Sequence, residues 1–258
     1  TGAGNAAGEP TVTSATTGDT AVAADKSGRP AFSIIMPAYN EEAVLERTIT
    51  GLVRELEREA IDYEIIAVDD ASKDATLSVL QGVAANTPRL RYVTNEGPNG
   101  YGHAIRAGLA LYRGDAVVVV TADGSDSPRD VVAYFRAIEN GADCAFGSRF
   151  VKGARVSGYP PFKLFVNRLA NALVARLLGT RYDDYTNGFK CYRRCVVESM
   201  LPIVSGQFNI TIEMSIKAIQ GGWTYEVCPT DWTEREAGAS SFRLFKLIVP
   251  YAATLIYC

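Results

Sequence analysis

The sequence is poor in the residues that several familiar site chemistries need. Its 258 residues include one histidine, His103, and five cysteines, Cys144, Cys191, Cys195, Cys228 and Cys258, with no C-x-x-C pair. A zinc centre is therefore excluded, and the cysteines read as reduced, structural thiols. No G-x-G-x-x-G follows the first strand-like run, which leads into "MPAYNEE"; the later "GYGHAI" has isoleucine where a third glycine is required. That disfavours a nicotinamide-dependent dehydrogenase, and the lack of G-x-x-x-x-G-K-[ST] removes the common ATPase loop. Positive charge is not in excess either: 26 Lys and Arg stand against 29 Asp and Glu, a net charge of −3. A general nucleic-acid binder is excluded on that ground. The first 30 residues lack the apolar core of a secretory signal peptide.

What is present is a hydrophobic content of 47% on a chain long enough for one large α/β domain. The charge is unevenly spread. From Arg149 to Arg194 ten Lys or Arg face only Asp183 and Asp184, a balance of +8 that leaves −11 for the remainder. Residues 1–29 are small and polar with no aromatic, so they are expected to form a disordered tail. From Ala31 onward short β-rich runs alternate with helical periodicity: strands at "AFSIIMP", "YEIIAVDD", "RLRYVTN", "AVVVVTAD" and "ADCAFGS", with helices at "EEAVLERTITGLVRELERE", "DATLSVLQGVAA", "GHAIRAGLALYRG" and "PRDVVAYFRAIEN" between them. This alternation predicts βαβ crossovers and a mostly parallel sheet. Ligands in such sheets bind beyond the carboxyl ends of the strands. Residues 37–42, Asp69, Asp70, residues 95–102, residues 123–126 and Arg149 are thus expected to face one cleft.

The loop "TADGSDSP" delivers Asp123 and Asp126 together. Asp126 or Ser127 ahead of Pro128 fits a helix N-cap, but capping leaves Asp123 without a task. The other reading is an oxygen-rich site for Mg²⁺ or Mn²⁺ that holds a nucleotide diphosphate.

In that order, "IIMPAYNEE", "VDDASKDAT", "NGYGHAIRAGL", "TADGSDSP", "GSRFVKG" and "DYTNGFKCYRR" resemble the family 2 glycosyltransferases of GT-A fold. Within them the pattern is similar to the polyprenyl-phosphate sugar synthases, such as dolichol-phosphate mannose synthase, over roughly residues 32–243. The resemblance implies a single Rossmann-like α/β domain, residues 30–241, with helices flanking a mostly parallel sheet. It implies an inverting, metal-dependent transfer from a GDP- or UDP-linked sugar to a polyprenyl or dolichyl phosphate. By position, Pro37, Tyr39, Glu41, Asp69 and Asp70, with Asn99 and Gly100 on a turn or phosphate-facing loop, match the nucleotide pocket. Asp123 matches the metal carboxylate. The usual D-A-D-x-[QSH] reads Thr121-Ala122-Asp123-Gly124-Ser125, so the first acid is missing, Ser125 takes the last place and Asp126 is available to compensate. Arg149 matches the arginine that faces the diphosphate or the acceptor phosphate, with Lys163 and Arg168 as further acceptor-phosphate cations. Glu213 and "WTEREAGASSF" match later elements, where Ser240-Ser241 replaces a frequent S-K.

Two alternatives remain. Transfer to a hydroxyl needs a general base, for which Asp126 is the main candidate; a lipid phosphate, with a second pKa of about 6, is already ionised near neutrality. A sugar-nucleotide-binding protein without activity is the other, suggested by Thr121 and Ser241. In "PPFKLFVNRLANALVARLLG" the apolar Phe162, Val166, Leu169, Leu173 and Leu177 share one helical face, and Lys163, Asn167 and Asn171 another. The apolar face is expected either to pack into the core or to meet a membrane, towards which Arg149, Lys152, Arg155, Arg168, Arg176 and Arg181 would be drawn by up to about 1 kcal/mol each. Residues 242–258 add an amphipathic, membrane-proximal helix too short and proline-broken to span a bilayer. A peripheral enzyme on the cytoplasmic face of a membrane is the expectation.

Overall fold

Strand and helix alternate as the periodicity requires in the computed structural model, which describes residues 29–233 and 244–258. The order is β1 (Phe32–Ala38), α1 (Leu45–Arg58), β2 (Tyr63–Asp69), α2 (Thr76–Ala85), β3 (Leu90–Thr94), α3 (Tyr101–Leu109), β4 (Ala116–Val119), α4 (Pro128–Glu139), β5 (Cys144–Ser148), β6 (Val156–Ser157) and α5 (Pro161–Leu178). Then come β7 (Lys190–Arg193), α6 (Arg194–Ser199), α7 (Ile210–Gln220), β8 (Tyr225–Pro229), β9 (Trp232–Thr233) and α8 (Leu244–Tyr257). The expected single α/β domain with a mostly parallel sheet is what forms. Seven strands run β3-β2-β1-β4-β7-β5-β8, and β7 alone is antiparallel to its neighbours β4 and β5. The small β6–β9 pair stands apart.

Strands β1, β2 and β4 are buried along their whole length because helices cover both faces of the sheet. Alternate residues of β1 feed opposite layers: Ile34 and Met36 pack with α1 and α4, and Ile35 packs beneath α3. In α1 the buried Leu45, Ile49, Leu52 and Leu56 recur at 3.6-residue spacing. This helix begins at Leu45, four residues later than its pattern suggests. The reason is local: Glu41 N donates to Thr76 Oγ1 and the Glu42 carboxylate accepts from Ala75 N, so these residues brace the start of α2.

Ser127 stands at the N-cap of α4 with Pro128 in the first turn, as the sequence allows, but without a side-chain capping bond. The capping reading of the Asp126 carboxylate is thereby corrected, since that group turns to Thr121. All five cysteines are free; Cys195 is exposed rather than buried. The tail lies outside the described residues, as do Ser240 and Ser241. Among the described residues no helix is long and apolar enough to cross a membrane.

Candidate active site

The candidate residues at the strand ends fall into two groups. In the first, β1 ends at Ala38 and the chain turns through Tyr39, 49% exposed, and Asn40, which takes a left-handed φ of 56°. Asparagine tolerates that conformation because its short side chain bonds locally. Asn40 N donates to Ser72 Oγ and its Oδ1 accepts from Lys73 N, which ties this turn to the one after β2. Pro37 is buried in the strand, and Glu41 sits half-buried beside it.

Asp69 and Asp70 are both buried, and each organises backbone. Asp69 Oδ1 accepts from Ser72 N. Asp70 accepts from Gly100 N at 2.7 Å and from Asn95 Nδ2 at 2.7 Å, and Asn99 Nδ2 lies 3.3 Å from its carbonyl. The carboxylate of Asp70 therefore shapes the 95–100 turn. Gly100 has a φ of 143°, and a Cβ there would stand 2.6 Å from the Gly206 carbonyl, so only glycine fits. Its seat is the 204–206 segment, held by the buried Glu213 carboxylate, which accepts from Val204 N, Ser205 N and the Lys217 ammonium. Those partners pull the Glu213 pKa down despite burial. The later-element residue Glu213 thus acts on the Gly100 turn through backbone it fixes.

At the end of β4, Thr121 is the hub. Its Oγ1 lies 2.8 Å from Asp123 Oδ1, 2.8 Å from Asp126 Oδ2 and 3.0 Å from Ser125 Oγ, and its N–H donates to Asp126. Ser125 donates to Asp123 Oδ1 from both N and Oγ. One hydroxyl proton cannot serve two carboxylates at once. Burial, then the neighbouring Asp123, pushes Asp126 up to about 7, so its acid form can return a proton to Thr121. The missing acid is replaced by a hydroxyl that holds both remaining carboxylates in place. Two carboxylates and two hydroxyls are hard oxygen donors and suit Mg²⁺ or Mn²⁺. Among the described residues no group of three acids, cysteines or histidines could hold a metal, so the set is a sparse one that leaves room for phosphate oxygens and water.

Arg149 follows β5 in the second group. Asp184, fully buried, accepts from Arg149 N at 3.0 Å, Nε at 2.8 Å and Nη2 at 2.7 Å. Burial opposes the guanidinium charge, yet the Asp184 carboxylate overrides it and the Arg149 pKa is raised. The guanidinium lies 5.5 Å from the ring centre of Phe150 and 5.7 Å from that of Tyr159. Arg168 packs over the same Phe150 at 4.5 Å, and Lys163 over the same Tyr159 at 5.6 Å. The three cations expected at an acceptor phosphate are therefore brought together on two shared rings. Arg168 also pairs with Asp183 at 3.7 Å.

The two groups are linked. Asp126 forms a backbone bridge to Trp232, whose ring packs at 5.0 Å against that of Tyr159, tilted by 46°. Tyr101 of α3 stands close enough to Asp123 and Asp126 for both to raise its pKa after burial has done so, and it stacks on Phe208 at 4.5 Å. Tyr251 of α8 reaches towards the Phe208 carbonyl, and its hydroxyl is pushed up to about 12 by burial. The sequence does not mark Asp184, Tyr159 or Tyr251 as site residues, and it marks Thr121 only as a missing acid. A signal existed for Asp184: an acid inside a belt of ten cations is a natural ion-pair partner.

A family model described as Glycosyl transferase family 2 matches residues 33–201. A polyprenol monophosphomannose synthase of Mycolicibacterium smegmatis is 33% identical over 213 residues, covering 80% of this chain and 79% of that relative. A dolichol-phosphate mannosyltransferase of Pyrococcus furiosus is 32% identical over 188 residues, 72% of this chain and 52% of that relative, so the chain spans about half of it. In fold, the chain is similar to glucosyl-3-phosphoglycerate synthase from Mycobacterium tuberculosis in complex with phosphoglyceric acid, with a TM-score of 0.67 at 22% identity over 88% of this chain and 79% of that one. A second structure of that enzyme, with Mn²⁺, UDP-glucose and phosphoglyceric acid, gives the same TM-score, identity and coverage. At that identity the likeness is one of fold, a GT-A-like sheet and its flanking helices. Strand order and family match agree, and the chain belongs to glycosyltransferase family 2.

Proposed function

We propose that the chain transfers a sugar, with inversion, from a nucleoside-diphosphate sugar to a polyprenyl phosphate at a membrane surface. One observation carries this reading. Helix α5 brings Lys163 and Arg168 to the rings that also hold Arg149, and the same helix turns Phe162, Phe165, Leu169, Leu173 and Leu177 outward, each between 56% and 74% exposed. A phosphate-sized cluster of cations beside an exposed apolar face is the surface that an anionic lipid head on an apolar tail fits. The names of the two relatives support the same acceptor class.

On this reading a phosphate oxygen of the acceptor forms the bond to the anomeric carbon as the bond to the nucleoside diphosphate breaks. No general base is needed for an ionised acceptor. Arg149, oriented by Asp184, and the neighbouring Lys163 and Arg168 bind the acceptor phosphate. Pro37, Tyr39, Glu41, Asp69, Asp70, Asn99 and Gly100 form or shape the pocket for a GDP- or UDP-linked donor. Asp123 and Ser125 would hold a divalent cation, Mg²⁺ or Mn²⁺, which when bound neutralises charge on the leaving diphosphate. The hydroxyl-acceptor alternative is weaker, because its base would be Asp126, whose buried carboxylate is turned to Thr121. The enzyme would sit peripherally on the cytoplasmic face, with α5 and α8 against the lipid.

The test is transfer of labelled sugar from a panel of GDP- and UDP-sugars into an organic-extractable product, using vesicles that contain a polyprenyl phosphate. The expected result is labelling by one donor class, abolished by EDTA and lowered at least about a hundredfold by Asp123→Asn, the range a lost charge-stabilising group costs. Full activity in EDTA, undiminished activity of Asp123→Asn, or binding of donor without turnover would overturn the corresponding part of the proposal.

A further inference from the structure

Lys190, at the first position of β7, is 1% exposed. Its Nζ donates to the carbonyls of Tyr185 at 2.9 Å, of Asn187, and of Thr211 in α7 at 3.3 Å. Three acceptors match the three N–H groups of an ammonium, whereas a neutral amine has two. The rings of Phe146 and Tyr182 flank it, with centres 6.0 and 5.6 Å away. Burying a lysine against carbonyls is costly, and burial pushes its pKa down from 10.5 to about 7 while Asp184 pulls it up. Such a placement is hard to justify as filling, because an apolar side chain would pack at lower cost.

The two loop carbonyls that Lys190 holds belong to the segment that controls Arg149. Asp184, one residue before Tyr185, grips the Arg149 backbone and guanidinium. Thr186, between the two carbonyls, accepts from Asn167 Nδ2 at 2.8 Å, and its N–H donates to Asn171 Oδ1. Asn187 Nδ2 donates to the Gly147 carbonyl at the end of β5. The segment is therefore attached to β5 and α5 by its own side chains, and to α7 by Lys190.

We infer that Lys190 is a positioning residue for the acceptor-phosphate site: its ammonium ties the Tyr185–Asn187 turn to α7 and so fixes Asp184, which orients Arg149. The inference rests on the proposed role of Arg149 in acceptor binding. Removing the ammonium takes this donor from the Tyr185 and Asn187 carbonyls, while the Thr211 carbonyl keeps the Ser215 hydroxyl at 2.6 Å, and the turn shifts to find other donors. The guanidinium then loses its fixed angle, and the acceptor suffers while the nucleotide pocket, built on β1 and β2, does not.

The experiment compares Lys190→Met, Lys190→Gln and Lys190→Arg with the unaltered chain by thermal unfolding, donor affinity, acceptor KM and kcat, and the NMR resonance of the Arg149 Nε–H, assigned by its loss in Arg149→Lys. The expected result for Met and Gln is a folded protein with donor affinity within about twofold, a displaced or broadened Arg149 resonance, and an acceptor KM raised tenfold or more with kcat changed less than threefold. Lys190→Arg, which keeps charge and donors, should recover most of the acceptor affinity. An unmoved Arg149 resonance with unchanged acceptor KM overturns the inference. So does a loss that falls equally on donor and acceptor in step with the unfolded fraction, including failure of all three variants to fold, because lysine would then serve stability alone. Should the unaltered chain label no polyprenyl phosphate, the functional proposal fails by itself, and the Arg149 resonance still answers for Lys190.

Discussion

Helices α4 and α5 carry similar apolar stripes and use them in opposite directions. In α4, Val131, Val132, Tyr134, Phe135, Ala137 and Ile138 are buried, and Phe135 stacks on Phe32 with ring centres 4.1 Å apart. In α5 only Asn171 and Val174 are fully buried, while Phe162, Phe165, Leu169, Leu173 and Leu177 face out. Asn171 faces in because it has work there: its Nδ2 donates to Asn167 Oδ1 at 2.8 Å and its Oδ1 accepts from Thr186 N. A stripe defines a face, but the polar partners on the opposite face decide which way the helix turns. On the proposed function, a helix that hides its amides and shows its leucines offers them to a lipid surface.

The comparison can be broken at its strongest point first. Phe135→Ala in α4 should cost about 3–5 kcal/mol, the range for emptying a packed aromatic site, measured by denaturant unfolding. The matching change in α5, Phe165→Ala, should cost under about 0.5 kcal/mol, as for a surface position. Equal losses would show that α5 packs inward after all.

The next effect is functional and falls on the site that α5 supports. Arg149→Lys should lower kcat/KM for the acceptor about tenfold or more, equivalent to about 1.4 kcal/mol, because an ammonium cannot reproduce the two-pronged guanidinium contact. Equal rates would leave Arg149 with a purely structural role. A smaller change is expected from Asn171→Leu, which extends the apolar character of α5 to its inner face. It should destabilise the fold by about 1–3 kcal/mol by leaving the Thr186 N–H unpaired. A gain in stability would mean that the amides do not set the direction of the helix. The smallest expected change in stability accompanies Leu169→Glu, within about 0.5 kcal/mol, yet that variant should release the protein from anionic vesicles in a flotation assay. Retention on vesicles would move the membrane contact from α5 to α8.

Much of this was legible in the sequence, and the reasons differ from residue to residue. The valine run of β4 and the spacing of Leu45, Ile49, Leu52 and Leu56 announce their elements because burial demands a period. Asp123 and Arg149 stand where strand ends must put them. The inserted β7, "KCYR", carries little local signal, since its place between β4 and β5 depends on distant partners. Thr121 reads as a lost acid when only motif letters are compared; its role as a hydrogen-bond hub emerges from three distances. Lys190 reads as one more cation in a basic belt, and only its three carbonyls set it apart. The direction of α5 could not be read because periodicity is blind to it.

The central claim, that the cation cluster beside the apolar face of α5 serves a lipid phosphate, is tested most directly by a paired acceptor assay. Polyprenyl phosphate and the free polyprenol of equal length are presented in identical vesicles with a labelled nucleoside-diphosphate sugar, and incorporation into lipid is counted. The account predicts label in the phosphate and none above background in the alcohol. Equal or greater labelling of the alcohol would contradict it.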